Sequence, residues 1–171
     1  MHIIDVPSPN FDDRPGGVDI SLVVIHAISL PPGEFGNGRV IDFFCNQLPV
    51  EEHPYYREIV GFRVSSHYFI DRQGVIIRCV AEEKRAWHAG ISNFAGRSNC
   101  NDFSLGIELE GDDHHLFAAV QYERLNQLLA DICRRHPQVT RERVVGHADI
   151  APGRKTDPGP LFDWDKVEEV F

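Results

Sequence analysis

The 171-residue sequence has no long hydrophobic run. Its most apolar stretch, residues 22–30, is broken by His26 and Ser29 and falls far short of the roughly 20 residues that cross a bilayer. No Lys or Arg precedes Arg14 and no sustained apolar segment follows the start, so no export signal is expected. Basic residues are few, 17 against 26 acidic, for a net charge of −9. That balance argues against a nucleic-acid partner or a polybasic membrane patch and leaves a small molecule as the expected partner. Cysteine is sparse, and Cys45, Cys79, Cys100 and Cys133 form no CxxC, which excludes zinc-finger and dithiol redox patterns. Without an export signal these read as reduced thiols and the chain as cytoplasmic. No repeat, low-complexity tract or linker divides the sequence, and the length favours a single domain over residues 1–171.

What the chain does contain is short elements separated by turn residues. Pro7, Pro9, Pro15, Gly16 and Gly17 predict an irregular N-terminal arm over residues 1–18. Residues 19–26 (DISLVVIH) are β-branched and nearly all apolar, as in a buried central strand. Residues 39–48 predict a short helix, with Val40, Phe43, Phe44 and Leu48 on one face and Pro49 closing it. Residues 49–62 read as a long irregular loop, the expected mobile part over a site. Residues 63–71 and 75–80 read as a hairpin around an RQG turn. A Gly- and Asn-rich stretch, 90–102, precedes a clear strand, 103–110. The best helix is 120–136, where Tyr122, Leu125, Leu129 and Ile132 form one stripe before Pro137. A short strand over 143–147, the loop APGRKTDPGP and a helical turn from Asp163 complete the pattern. Strands interleaved with helices predict a mixed α/β (α+β) fold with one central, mostly buried mixed sheet flanked by helices.

Two histidines close apolar strands in this reading, His26 after SLVVI and His147 after RVVG. Asp157 follows ten positions after His147, in a loop held by Pro152, Pro158 and Pro160. Two imidazoles and a carboxylate make a three-ligand set that leaves a fourth zinc position open, as in catalytic sites. On spacing alone this set competes with a plainer reading, in which the side chains are hydrogen-bonded structural residues. In FSLGIELE, period-two alternation puts Leu105, Ile107 and Leu109 on one face and Ser104, Gly106, Glu108 and Glu110 on the other. That second face either meets solvent or lines a polar cleft. In a cleft, Glu108 is a candidate general base for a metal-activated water. Lys155, two residues before Asp157, is either a donor to a developing oxyanion or a solvated loop lysine.

The strings VVIHAISLPPGEFG, HPYY, VSSHYFI, KRAWHAG, NDFSLGIELEG and VVGHADIAPGRKTDPGP stand in one order along the chain. Together they resemble the zinc-dependent N-acetylmuramoyl-L-alanine amidases of the type-2 family, most of all its cytoplasmic members acting on 1,6-anhydro sugars. The likeness runs from about Pro7 to Trp164. It implies a central mixed sheet flanked by helices, as in phage amidase-type lysozymes and peptidoglycan recognition proteins. It implies one catalytic Zn2+ held by His26, His147 and Asp157, with Glu108 and Lys155 as catalytic residues. The implied reaction is hydrolysis of the amide between the lactyl group of muramic acid and L-alanine, in peptidoglycan recycling. In bacteria with an inducible β-lactamase, that reaction removes the muropeptides that signal induction.

For a muropeptide substrate carrying carboxylates, Arg63 and Arg97 are the expected cations, Trp87 stacks on a sugar or supports the cleft wall, and Tyr55 lies near the zinc. His67 and His88 surround the ligands. A monomer is expected. Two positions depart from the family pattern: Ala27 stands where relatives carry Asn, and an Arg usual near Asn99 is missing, which bears on selectivity for the anhydro sugar. Two alternatives remain. One is an amidase acting on intact peptidoglycan, which would bring an export signal or a wall-binding module. The other is a non-catalytic muropeptide-binding module, in which a zinc ligand is typically replaced.

Overall fold

The computed structural model describes residues 2–170. In chain order its strands are β1 (Ile3–Asp5), β2 (Phe11–Asp13), β3 (Leu22–Ile28), β4 (Tyr68–Ile70), β5 (Ile76–Arg78), β6 (Lys84–Ala86), β7 (Asn93–Phe94), β8 (Arg97–Ser98), β9 (Ser104–Glu110) and β10 (Val144–Gly146). The helices are α1 (Arg39–Phe44), α2 (Pro54–Ile59), α3 (Ala119–Arg135) and α4 (His147–Ile150). Six strands form one mixed sheet in the order β1-β5-β4-β9-β3-β10. The neighbours β4, β9, β3 and β10 run parallel, and β5 turns back against β4. The pairs β2–β6 and β7–β8 stand outside that sheet.

The two faces of the sheet have different partners. Leu105, Ile107 and Leu109 on β9 join Val23 and Ile25 on β3 under α3, whose Leu125, Leu128, Leu129 and Ile132 are fully buried. Each such side chain contributes on the order of 2 kcal/mol on burial, so packing rather than helix propensity holds α3 in place. Its first turn lacks a Ser, Thr, Asp or Asn cap. Gln121 takes that role: its side-chain oxygen accepts from Ala118 N (2.9 Å), and its amide donates to Ile70 O and Glu110 O. On the opposite face Phe69 meets Phe43, Phe44, Tyr56 and Ile59 of α1 and α2.

The far end of α3 is held by Glu82. Its carboxylate accepts from the Tyr68 hydroxyl (2.7 Å) and the Arg135 guanidinium (2.6 Å), and it lies 2.8 Å from His136 Nε2. Burial alone would raise its pKa, but Arg135, His136 and Tyr68 outweigh that and bring it down to about 2. A depressed carboxylate contributes stability above its ordinary value of 4.5 and loses it as pH falls towards about 2. We therefore expect Glu82→Gln to cost about 3 kcal/mol at pH 7 and progressively less below pH 4.5. Urea unfolding of both proteins at pH 7, 4 and 3 checks this; a gap that ignores pH would sink it.

Three expectations need correction. The arm over residues 1–18 is not irregular: β1 lies parallel to β5 at the sheet edge, and β2 pairs antiparallel with β6. Its prolines cut it into three-residue strands too short to show a period, and buried polar side chains fasten it. Ser8 Oγ donates to Phe44 O (2.6 Å), Asn10 pairs side chain to side chain with Asn46, and Arg14 donates to Glu82 O, Asn101 O, Asp102 O and Ser104 O. Residues 49–62 contain α2, which starts with Pro54 in its first turn and with His53 Nδ1 accepting from Tyr55 N (3.1 Å). The first helix ends at Phe44 rather than Leu48, because Asn46 adopts a left-handed φ of 59°. Within 90–102, β7 and β8 form a hairpin and Cys100–Asp102 a 3₁₀ turn. The helix α3 and the strands β3, β9 and β10 stand where the pattern placed them to within three residues, and the hairpin is present as β4–β5, but β4 spans only Tyr68–Ile70 of the expected 63–71.

Candidate active site

Strand register brings the first two groups together. β3 and β9 are parallel with His26 directly opposite Glu108, so both side chains leave the same face near the carboxyl ends of their strands. That end of an open sheet is where α/β proteins place their ligands. β3 continues two residues past His26, so this histidine lies inside the strand rather than at its end. His147 is the first residue of α4, immediately after β10, which pairs with β3 through Gly146 and Ile25. The 151–160 loop then folds back. Asp157 O accepts from Ala148 N (2.9 Å), and Pro158 packs on Gly146, where an added Cβ would lie 2.8 Å from the ring. These contacts carry the Asp157 carboxylate to His147.

The three side chains converge on one point. His26 Nδ1 lies 2.9 Å from His147 Nδ1, and Asp157 Oδ2 lies 3.0 Å from each of them. They are the one group of potential metal-binding side chains among the described residues. Burial pulls the His26 pKa down to about 4, so the ring is neutral at pH 7, the form that donates to a metal. Two imidazoles and a carboxylate, donor atoms inward, fit a cation of the zinc type with a further position open.

Glu108 stands beside this cradle without joining it. Its Oε2 is buried and has no hydrogen-bond partner. Burial, and then the charge of Asp157, push its pKa well up, while Lys155 pulls the other way. Glu110, on the same face, is in contrast fully engaged: it accepts from Gly36 N (2.6 Å) and Arg72 N (3.0 Å) and ties two loops to the strand end. Of the two carboxylates that alternation put on this face, one is structural and one is free for chemistry.

These groups line a cleft of about 680 Å³. Lys155 and Arg154 stand at its rim, Trp87 and Tyr55 in its walls, and Ala27 in its lining. Arg63 and Arg97 are not among the lining residues: Arg63 donates to Val60 O and Phe62 O, and Arg97 lies over the Phe103 ring at 4.0 Å. Asn99 is also outside the lining and takes a left-handed φ of 60°. His88 touches His26 directly, Nδ1 to Nε2 at 2.9 Å, whereas His67 accepts from Gly106 N at its Nδ1 (3.0 Å). Arg154, Asn101 and Ser104 also hold the site; they lie within the quoted strings, but nothing in those strings gave them a role. Arg154 donates to Ala89 O and Ile91 O, both at 2.7 Å.

Two histidines and an aspartate thus converge at the strand ends of a mixed α/β domain, beside a carboxyl oxygen without a partner, an arrangement able to hold a metal ion. The chain belongs to the N-acetylmuramoyl-L-alanine amidase family, whose profile matches residues 16–160. It is 52% identical over 161 residues to the 1,6-anhydro-N-acetylmuramyl-L-alanine amidase AmpD of Haemophilus influenzae, covering 94% of this chain and 88% of that one. It superposes on a crystal structure of an AmpD derivative with a TM-score of 0.95 at 45% identity, covering 98% and 93% of the two chains. It also resembles AmiD from Escherichia coli in complex with anhydro-N-acetylmuramic acid-L-Ala-D-gamma-Glu-L-Lys, with a TM-score of 0.66 at 30% identity, covering 94% of this chain and 65% of AmiD. Among the described residues no helix is long and apolar enough to cross a membrane.

Proposed function

We propose that this chain is a zinc amidase that cleaves the lactyl–L-alanine amide of 1,6-anhydro-N-acetylmuramoyl peptides in the cytoplasm, as a monomer, during cell-wall recycling. The observation that carries the reading is the donor triangle of His26, His147 and Asp157 with Glu108 unpaired next to it. His26, His147 and Asp157 hold the zinc. Bound there, zinc supplies a Lewis acid for the amide carbonyl and acidifies the attacking water. Glu108 accepts the proton of that water and delivers it to the departing L-alanine nitrogen, as a carboxyl group with a raised pKa is suited to do. Lys155, at the cleft rim, faces the charge that develops on the carbonyl oxygen. Trp87 and Tyr55 form walls for the sugar and the first peptide residues. Arg154 and Lys155 line the cleft, and Arg63 and Arg97, outside its lining, meet only parts of a substrate that extend beyond it. In a bacterium with an inducible β-lactamase, the same hydrolysis removes the inducing muropeptides.

The test compares purified anhydromuropeptide with intact sacculi, using protein as isolated, chelator-stripped and re-zincated. Loss of the metal is expected to lower release of the stem peptide by about 10³-fold or more, with recovery on adding zinc. Efficient release from sacculi would favour an amidase of intact wall. Binding without cleavage at full zinc occupancy would favour a recognition module.

A further inference from the structure

The Nε2 atoms of both zinc-site imidazoles point into one loop, residues 87–89, and the hydrogen bonds there fix where each ring keeps its proton. His147 Nε2 lies 3.1 Å from Ala89 O. A carbonyl only accepts, so His147 carries a proton on Nε2, and Nδ1 is the nitrogen it turns inward to a metal. Arg154 Nη2 lies 3.4 Å from the same nitrogen, but its two hydrogens are already given to Ala89 O and Ile91 O at 2.7 Å.

For His26 the neighbour is another imidazole, and the 2.9 Å contact between His26 Nε2 and His88 Nδ1 does not say which ring donates. The rest of the chain does. His88 Nε2 lies 3.1 Å from Ser104 Oγ, and Ser104 Oγ lies 2.6 Å from Cys100 O. The single hydroxyl hydrogen of Ser104 must go to that carbonyl, so Ser104 Oγ accepts from His88 Nε2–H. His88 Nδ1 is then bare and accepts from His26 Nε2–H. The remaining nitrogen, His26 Nδ1, is left as a lone-pair donor facing Asp157 and His147. The loop is built to hold this order. Asn101 Oδ1 accepts from both His88 N (3.2 Å) and Ala89 N (2.8 Å), and at Gly106 an added Cβ would sit 2.5 Å from His88 Cγ.

We propose that Cys100 O, Ser104 and His88 form a one-way hydrogen-bond relay that makes Nδ1 of His26 the zinc donor, with His88 and Ser104 as positioning residues. The proposal rests on the zinc reading of the cradle, yet its proton order is readable without metal. Partners of this kind around a ligating histidine change metal affinity by about 10- to 100-fold.

The experiment uses the full chain labelled with ¹⁵N, and long-range imidazole ¹H–¹⁵N correlations at pH 7 with and without zinc. His26 and His88 are expected to show protonated Nε2 and bare Nδ1 in zinc-free protein and His147 a protonated Nε2, with only the Nδ1 signals of His26 and His147 moving on zinc addition. In competition with a chelating dye, Ser104→Ala and His88→Leu are expected to bind zinc about 10- to 100-fold more weakly. His88→Asn, whose side-chain oxygen can accept in the place of Nδ1, is expected to recover most of that loss. Ser104→Ala is also expected to give mixed tautomers at His26, which a merely structural serine would not. A proton on His26 Nδ1 in the zinc-free wild type would overturn the relay, and that spectrum decides even if a variant does not fold. Variants binding zinc within twofold of wild type would overturn the relay while leaving the zinc site standing. Wild-type chain that binds no zinc would overturn the zinc reading and the relay's role with it.

Discussion

Replacing Glu108 by glutamine is expected to lower kcat by about 10²- to 10⁴-fold while leaving zinc content and fold unchanged. Glu108 is not one of the converging donors, its Oε2 has no partner, and it stands opposite His26 on the neighbouring strand. Glutamine keeps its size and removes only the capacity to take and return a proton. The same substitution has a second signature in metal-free protein. Burial and the charge of Asp157 hold the Glu108 carboxyl well above its ordinary value of 4.5. An acid raised in this way costs folding stability once pH exceeds 4.5, because the unfolded chain ionises it freely and the folded one does not. Glu108→Gln should therefore melt above wild type at pH 7 and level with it near pH 4. Single-turnover kinetics, metal content by mass spectrometry and melting at the two pH values check both halves. A variant within tenfold of wild-type kcat would remove Glu108 from the chemistry.

How much of this was legible in the sequence depends on the range of the interaction. Alternation along 103–110 put Glu108 on the opposite face from Leu105, Ile107 and Leu109, and the register with β3 places it against His26 as a strand-pairing argument would wish. A single strand cannot state which neighbour it takes, so the pairing itself needed the fold. The two carboxylates of that face were equivalent in sequence. Only the loops that donate to Glu110, from Gly36 and Arg72, separate the structural one from the free one. The arm was misread because β1 and β2 have three residues each, while its order comes from Ser8, Asn10 and Arg14 bonding to carbonyls 34 to 90 positions away. Asn101 escaped for the same reason, since an Asn in a short turn has no period; alternation did place Ser104 on the Glu108 face, but its partners His88 and Cys100 are set only by the fold. In residues 49–62 a local signal was present, since His53, Pro54 and the pair Tyr56 and Ile59 mark a helical turn and a half, but it is shorter than a periodic pattern can declare.

Replacing Asp157 by alanine is expected to abolish detectable activity and to weaken zinc binding by well over 100-fold, more than loss of a hydrogen-bonding partner around a ligand would. Asp157 supplies the only anionic donor of the three, and without it His26 Nδ1 and His147 Nδ1 face one another at 2.9 Å with nothing between them. In wild type, zinc at 1,000 times its Kd should stabilise the fold by about 4 kcal/mol, and Asp157→Ala should lose that gain. Asp157→Asn, which keeps an acceptor oxygen but no charge, should fall between the two in affinity. Dye competition and melting with and without zinc give the order wild type, Asn, Ala. An alanine variant that holds one zinc per chain with a Kd within tenfold of wild type would mean that the ion sits elsewhere.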